Sequence, residues 1–321
     1  MKTIGETTAA LPLCLPGVSA LCSHLQPRCY TFAMEQVNFP IRELDKKEWP
    51  WLIHEIPDAP KKLYARGVLP PTSQQILAVV GSRAVSSYGR DVVKKLIGGL
   101  KGYPITIVSG LALGIDALAH EAALDVGLHT VSVPGSGIDD TVIYPARHQR
   151  LAKRILEQGG GLLSEFEPTF TATPWSFPAR NRIMAGMSHA VLVVEARTRS
   201  GTLITSRLAT EYNRDVLTVP GSIFSEGSKG PAMLMRLGAT PITTAAELLE
   251  ALGFERPSEE TTITAPLSVE ERRIYELLAE PLSRDAVASR LNLHTAHASV
   301  LISMLEIKGV VEDMGGILRR A

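Results

Sequence analysis

A chain of 321 residues, 45% hydrophobic and 21% charged, has room for one large domain and a smaller one, and none of its apolar runs reaches the roughly 20 residues that a membrane helix needs. Its 33 Lys and Arg balance 33 Asp and Glu, which excludes a polycation that coats nucleic acid by bulk attraction. Any anion binding must come from a local basic patch.

Residues 1–36 carry no sustained helical or strand period, because Pro12 and Pro16 break their apolar stretch, so a poorly ordered extension is expected there. A secretory signal is disfavoured because only Lys2 precedes the apolar Leu11–Cys22 stretch and prolines interrupt it; Met34 is an alternative start. Cys14, Cys22 and Cys29 match neither paired zinc-ligand spacing nor a redox CxxC. A reducing, cytoplasmic setting with no metal and no cofactor is the simpler expectation. Residues 37–75, rich in Trp, Pro and Leu (Trp49-Pro50-Trp51, Leu69-Pro70-Pro71), suggest an extended lead-in that packs on the next domain.

From 76 to 252 the chain alternates strand and helix. Apolar runs at 76–80, 105–108, 130–133, 161–164, 190–194 and 216–219 are separated by helix-like stretches such as 91–100 and 115–125. The alternation predicts βαβ units: an α/β, Rossmann-like doubly wound and mainly parallel sheet. Residues 253–265 predict a linker. Beyond it, helices at 269–278, 284–291 and 296–307 followed by a hairpin at 310–318 predict a winged-helix domain over 266–321. That domain holds seven Lys and Arg against eight Asp and Glu, and 295–307 has no Lys or Arg at all. Groove binding requires phosphate neutralisation, so a protein-contact or accessory role is favoured for it.

The strand exits carry the chemistry. After the first comes Gly81-Ser82-Arg83: glycine permits close approach of a ligand and arginine grips phosphate. The second opens into Ser109-Gly110, with Asp116 placed one helical turn before His120 and able to pair with it. The third leads through Pro134-Gly135 to Arg147, His148, Arg150, Lys153 and Arg154, the densest basic cluster of the chain. Arg180, Asn181 and Arg182 follow Trp175 and Phe177, placing cations beside aromatic faces where bases could stack. The arginines are expected at strand exits, outside the apolar strands. In the alternative reading the aromatics belong to the core and Arg197 or Arg199 to the surface. Glu195 reads as ordering an arginine, and Ser200-Gly201-Thr202 opens a helix whose positive end can face an anion. The set reads as an anion site without an evident catalyst.

From about Phe39 to Leu252, and more weakly from Leu267 onward, these motifs in this order closely resemble the DNA-processing protein A family, DprA or Smf. The resemblance implies a non-catalytic, homodimeric, cytoplasmic protein that binds single-stranded DNA and promotes its loading onto the RecA recombinase in natural transformation and recombination. It also implies DNA-phosphate contacts at Gly-Ser-Arg. Departures from the family pattern are modest: Asn213 stands where glycine is common, a left-handed position that Asn can fill, and Ala232 and Met235 precede Gly238-Ala239. Two rival readings are a nucleoside-monophosphate phosphoribohydrolase and a winged-helix transcriptional regulator. The first lacks its Pro-Gly-Gly-x-Gly-Thr signature, since Ser200-Gly201-Thr202 with Glu211 stands instead, and the acidic balance of the winged helix disfavours the second.

Overall fold

The computed structural model describes residues 39–255 and 267–320. The expected extension at 1–36, with its three cysteines and Met34, and most of the expected 253–265 linker lie outside the described residues.

The lead-in does more than pack on the core. Its strands β1 (Ile41–Glu43) and β2 (Tyr64–Gly67) join the sheet, β2 pairing antiparallel with the later strand β6 (Gly161–Ser164). The core then runs β3 (Gln75–Val80), α1 (Ser87–Gly98), β4 (Ile105–Ser109), α2 (Ile115–Asp125), β5 (His129–Ser132), α3 (Gln149–Glu157) and β6. It continues through α4 (Ser176–Met187), β7 (Ala190–Val193), α5 (Thr202–Glu211), β8 (Asp215–Thr218), α6 (Lys229–Arg236), β9 (Thr240–Pro241) and α7 (Ala245–Ala251). The nine strands lie in the order β1-β2-β6-β5-β4-β3-β7-β8-β9, parallel from β6 to β9. This is the expected doubly wound, mainly parallel sheet.

Burial on both faces explains why the strands read as unbroken apolar runs. In β3, Ile76, Ala78 and Val80 pack on one side with Ile183 and Met184 of α4, while Leu77 and Val79 pack on the other with Val93, Leu96 and Ile97 of α1 and Ala119 of α2. Helix α1 starts where Ser86 accepts a hydrogen bond from the Gly89 amide at 3.0 Å, and its apolar residues recur at the spacing of one helical face. The chain winds outward from β3 to β6 and then returns to place β7 on the other flank of β3. That reversal makes the carboxyl ends of β3 and β7 the crevice where such sheets bind ligands.

The C-terminal domain contains α8 (Val269–Leu277), β10 (Leu282–Ser283), α9 (Arg284–Arg290), α10 (Thr295–Ile307), β11 (Val311–Met314) and β12 (Ile317–Arg320), with its strands ordered β10-β12-β11. Ile274, Val287, Ile302, Leu305, Val311 and Leu318 form its core. This is the winged-helix arrangement that the sequence predicts. Four of its basic side chains are engaged internally: Arg284 with Glu306 and Asp313, Lys308 with Glu271, Arg319 with Glu312, and Arg320 with the Tyr275 and Glu276 carbonyls. No described helix is long and apolar enough to cross a membrane.

Candidate functional site

A cleft of about 690 Å³ opens at the reversal point. Gly81, Ser82 and Arg83 form one wall at the exit of β3, and Arg197, Arg199 and the Ser200-Gly201-Thr202 turn form the other at the exit of β7. Arg180 and Asn181 of α4, with Phe177, close its floor. The two walls are tied, since the Thr202 hydroxyl donates to the Gly81 carbonyl at 3.2 Å and Asn181 Nδ2 to the Gly201 carbonyl at 3.5 Å. The Thr202 amide is already capped by the Ser200 hydroxyl at 3.2 Å. The α5 end therefore offers its dipole more than its free amides.

The structure corrects the placement of the Arg180-Asn181-Arg182 triplet, which lies within a helix and not at a strand exit. At about 100° per residue, Arg180 and Arg182 face opposite ways. Arg180 is only 5% exposed, and its Nη1 donates to the Val133 carbonyl. Its guanidinium occupies the space above Gly110, where a Cβ would stand 1.6 Å from Nη1. Gly110 is thus required for the seating of an arginine, and its expected contact with phosphate passes to other groups. Arg182 turns away from the cleft to Glu165 and to the Asp58 carbonyl, the latter at 2.8 Å. Burial pushes the Glu165 carboxyl up, with Arg182 opposing.

Beneath Arg180 sits Asp116, whose carboxylate accepts from the Gly110 amide at 3.1 Å and from the Ala112 amide. Leu111, between them, has φ 58°, a left-handed backbone that turns both flanking amides onto one carboxylate. Burial pushes Asp116 upward and the Arg180 guanidinium downward, each opposed by the other's charge. The expected pairing of Asp116 with His120 does not form. His120 is fully buried and shares a 2.7 Å hydrogen bond with the Thr130 hydroxyl, and burial lowers its pKa to about 3.

Three further expectations change. Ser109 is fully buried and its hydroxyl donates to the Val79 carbonyl at 2.7 Å, so it serves the sheet and not a ligand. Glu195 orders a serine in place of an arginine: it accepts from the Ser86 hydroxyl and from the Ser86 amide at 3.1 Å, fastening the start of α1 to the end of β7. Gly135 makes room for the Phe177 ring, which a Cβ there would meet at 2.5 Å. Arg83 lies over that ring, 5.3 Å from its centroid, and exposed Tyr144 packs beside it at 5.7 Å. Exposed Trp175 caps a second cluster with Phe166 and Phe170.

Charge pairing sorts the arginines. Lys153 and Arg154 of the basic cluster face Glu157 and Asp125. Arg147 and Arg150, on the turn and helix after β5, are exposed and have no ion pair among the described residues, and neither lines the cleft. The same freedom holds for Arg83, Arg197 and Arg199 at its mouth. Arg197 and Arg199, which only the alternative sequence reading mentioned, and then as surface, line the cleft and are functional candidates that the expected contact set omitted. Their one signal was position, two arginines one residue apart between a strand exit and a helix start.

Profile comparison matches residues 41–253 to the family of DNA recombination-mediator protein A and residues 256–316 to the DprA winged helix domain. The chain is 43% identical over 221 residues to Protein Smf of Escherichia coli strain K12, covering 69% of this chain and 59% of that protein. It is 44% identical over 217 residues to DNA processing protein DprA of Streptococcus pneumoniae strain R6, covering 68% of this chain and 76% of the relative. The X-ray structure of the DNA processing protein A from Streptococcus pneumoniae superposes with a TM-score of 0.61 at 42% identity, covering 67% of this chain and 74% of that one. The DNA processing protein A from Helicobacter pylori, described for its single-stranded DNA binding mode, superposes with a TM-score of 0.59 at 29% identity, covering 67% of this chain and 96% of that one.

Proposed function

The chain belongs to the DNA recombination-mediator protein A (DprA/Smf) family, and on that premise we propose that it binds single-stranded DNA along the carboxyl edge of its sheet. The observation that carries this reading is the group of exposed arginines that make no ion pair among the described residues, Arg83, Arg197 and Arg199, around one cleft of a formally neutral chain, with the Phe177 ring beside Arg83. Such a groove grips phosphates through guanidinium forks while bases stack on ring faces, a sequence-tolerant mode. We assign Arg147 and Arg150 to the same track: they lie on the turn and helix that follow β5, where neighbouring His148 bonds the Leu111 carbonyl beyond β4. The open Gly201 of the Ser200-Gly201-Thr202 turn allows the backbone of the strand to approach closely, whereas Gly81, expected to do the same, makes room for Ile115, which a Cβ there would meet at 2.6 Å; Ser82 stays at the cleft wall.

The role is one of binding and not of catalysis. Asp116 and Glu195 are committed to the Gly110 and Ser86 amides, and Glu211 pairs with Arg207 at the far end of α5. We assign the bound strand to transfer onto RecA during recombination and transformation, by a homodimer; family membership supports this step. The chain spans 59% of the length of the Escherichia coli relative, so activities of that whole protein enter only as part of this proposal. Fluorescence anisotropy with single-stranded and duplex oligonucleotides tests the reading, with nucleoside-monophosphate hydrolysis assayed in parallel. Preferential binding of single strands is expected; hydrolysis without DNA binding would replace it with the enzymatic reading.

A further inference from the structure

Ile223 and Phe224 lie between β8 and α6, 86% and 93% exposed. Two adjacent large apolar side chains in water are costly unless they meet something. Their loop is held at both ends. The Tyr88 hydroxyl donates to the Pro220 carbonyl at 2.5 Å before it, and beyond it the Ala196 amide donates to the Gly227 carbonyl while the Gly230 amide donates to the Ala196 carbonyl, both at 2.8 Å. Inside the loop, the Phe224 amide donates to the Ser222 hydroxyl at 3.3 Å and the Ser225 amide to the Ser222 carbonyl at 3.0 Å. The tip is thus a built turn that displays an aromatic ring, tethered to the residue next to Arg197.

Position in the sheet says what meets it. Cations that make no ion pair among the described residues stand on the turn and helix that follow β5 (Arg147, Arg150) and at the exits of β3 (Arg83) and β7 (Arg197, Arg199), and β8 is the next strand in the same row. Strands repeat at about 4.8 Å, so the row from β5 to β8 covers roughly 19 Å, and the loop begins about one strand spacing beyond the last arginines. A chain that carries negative charge and offers flat faces fits such a row. Resting on the reading of the cleft as a single-stranded DNA site, we infer that Ile223 and Phe224 form a stacking platform for a base of the strand as it leaves the cleft past Arg197.

The test uses the full-length protein and oligothymidines of increasing length, with Phe224→Ala, Phe224→Trp and, as reference, Arg83→Ala. Loss of one stacked base is expected to weaken binding by roughly 5- to 150-fold for oligonucleotides long enough to leave the cleft. The shortest ones should bind Phe224→Ala as they bind the wild type, and its salt slope should be unchanged, since no phosphate contact is removed. Phe224→Trp should restore affinity, with indole fluorescence quenched on addition of DNA. Equal affinity of Phe224→Ala at every length, with unmoved Phe224→Trp fluorescence, would overturn the platform while a weakened Arg83→Ala left the cleft reading standing. Unaltered DNA affinity with a lowered sedimentation coefficient would assign the pair to an interface between copies, also against the proposal. Failure of the wild type to bind single strands would remove both.

Discussion

Arg180→Ala is expected to damage the fold before it damages binding. The side chain is a buried strut that donates to the Val133 carbonyl and holds its charge against Asp116. Alanine would leave that carbonyl without its donor and the buried carboxyl without its cation. Stranding a buried carbonyl costs about 1–3 kcal/mol, and removal of the charge that opposes a buried carboxyl adds to it, so about 3–5 kcal/mol is expected together. In a domain of this size each kcal/mol moves Tm by about 2–4 °C, so a fall of about 6–20 °C is expected by circular dichroism or calorimetry. The deficit should depend on pH with a definite sign. Without Arg180, Asp116 would have a folded-state pKa raised further above its ordinary 3.8, and a raised carboxyl costs stability only above its unfolded-state value. The gap to wild type should therefore narrow as pH falls toward 4. A variant melting within 2 °C of wild type (a bound drawn from the scale of about 2–4 °C per kcal/mol), or one whose deficit is as large at low pH as at neutral, would refute the strut.

Arg182→Ala should lower stability by leaving half-buried Glu165 without its cation, yet leave single-stranded DNA affinity unchanged; parallel melting and anisotropy curves decide this. His120, held neutral by burial with a pKa of about 3 against an ordinary 6.5, contributes stability that is present above pH 6.5 and lost as pH falls below it. In urea unfolding from pH 7 to 5, His120 should contribute a slope approaching 1.4 kcal/mol per pH unit, about what one proton supplies, beside contributions of the same sign from partly buried His129 and His189, and His120→Gln should remove only its own share; parallel profiles for the two proteins would count against the assignment. A chain ending after residue 255 should keep its single-stranded DNA affinity, because four of the seven basic side chains of the winged-helix domain are engaged internally. A large loss of affinity on truncation would return that domain to DNA binding.

The parallel strands were legible because burial on both faces makes them continuous apolar runs between glycine-rich exits, and α2 begins and ends where its apolar spacing does. Asn213 occupies the left-handed position expected of a glycine substitute, with φ 56°. Strands β1 and β2, three and four residues long, are too short for a period of two to register, so the lead-in hid its part in the sheet. The misjudged site residues share one cause. Sequence shows which cations exist; only the fold shows which of them acids or carbonyls already hold. Arg180 and Arg182 looked like the grip and are spent on Val133, Glu165 and Asp58, whereas Arg197 and Arg199, left out of the expected contact set, make no ion pair among the described residues and line the cleft.

The central claim is that a few arginines around one cleft, without an ion pair among the described residues, hold the phosphates of a single strand. Its most direct measurement is the salt dependence of single-stranded DNA affinity for the wild type, for Arg83→Ala, Arg197→Ala and Arg199→Ala singly and combined, and for Arg182→Ala as control. Each cleft arginine removed should reduce the slope of log K against log salt by roughly 0.7, independent of DNA sequence, with the control unchanged. A combined variant that is folded and keeps the wild-type slope would contradict the account.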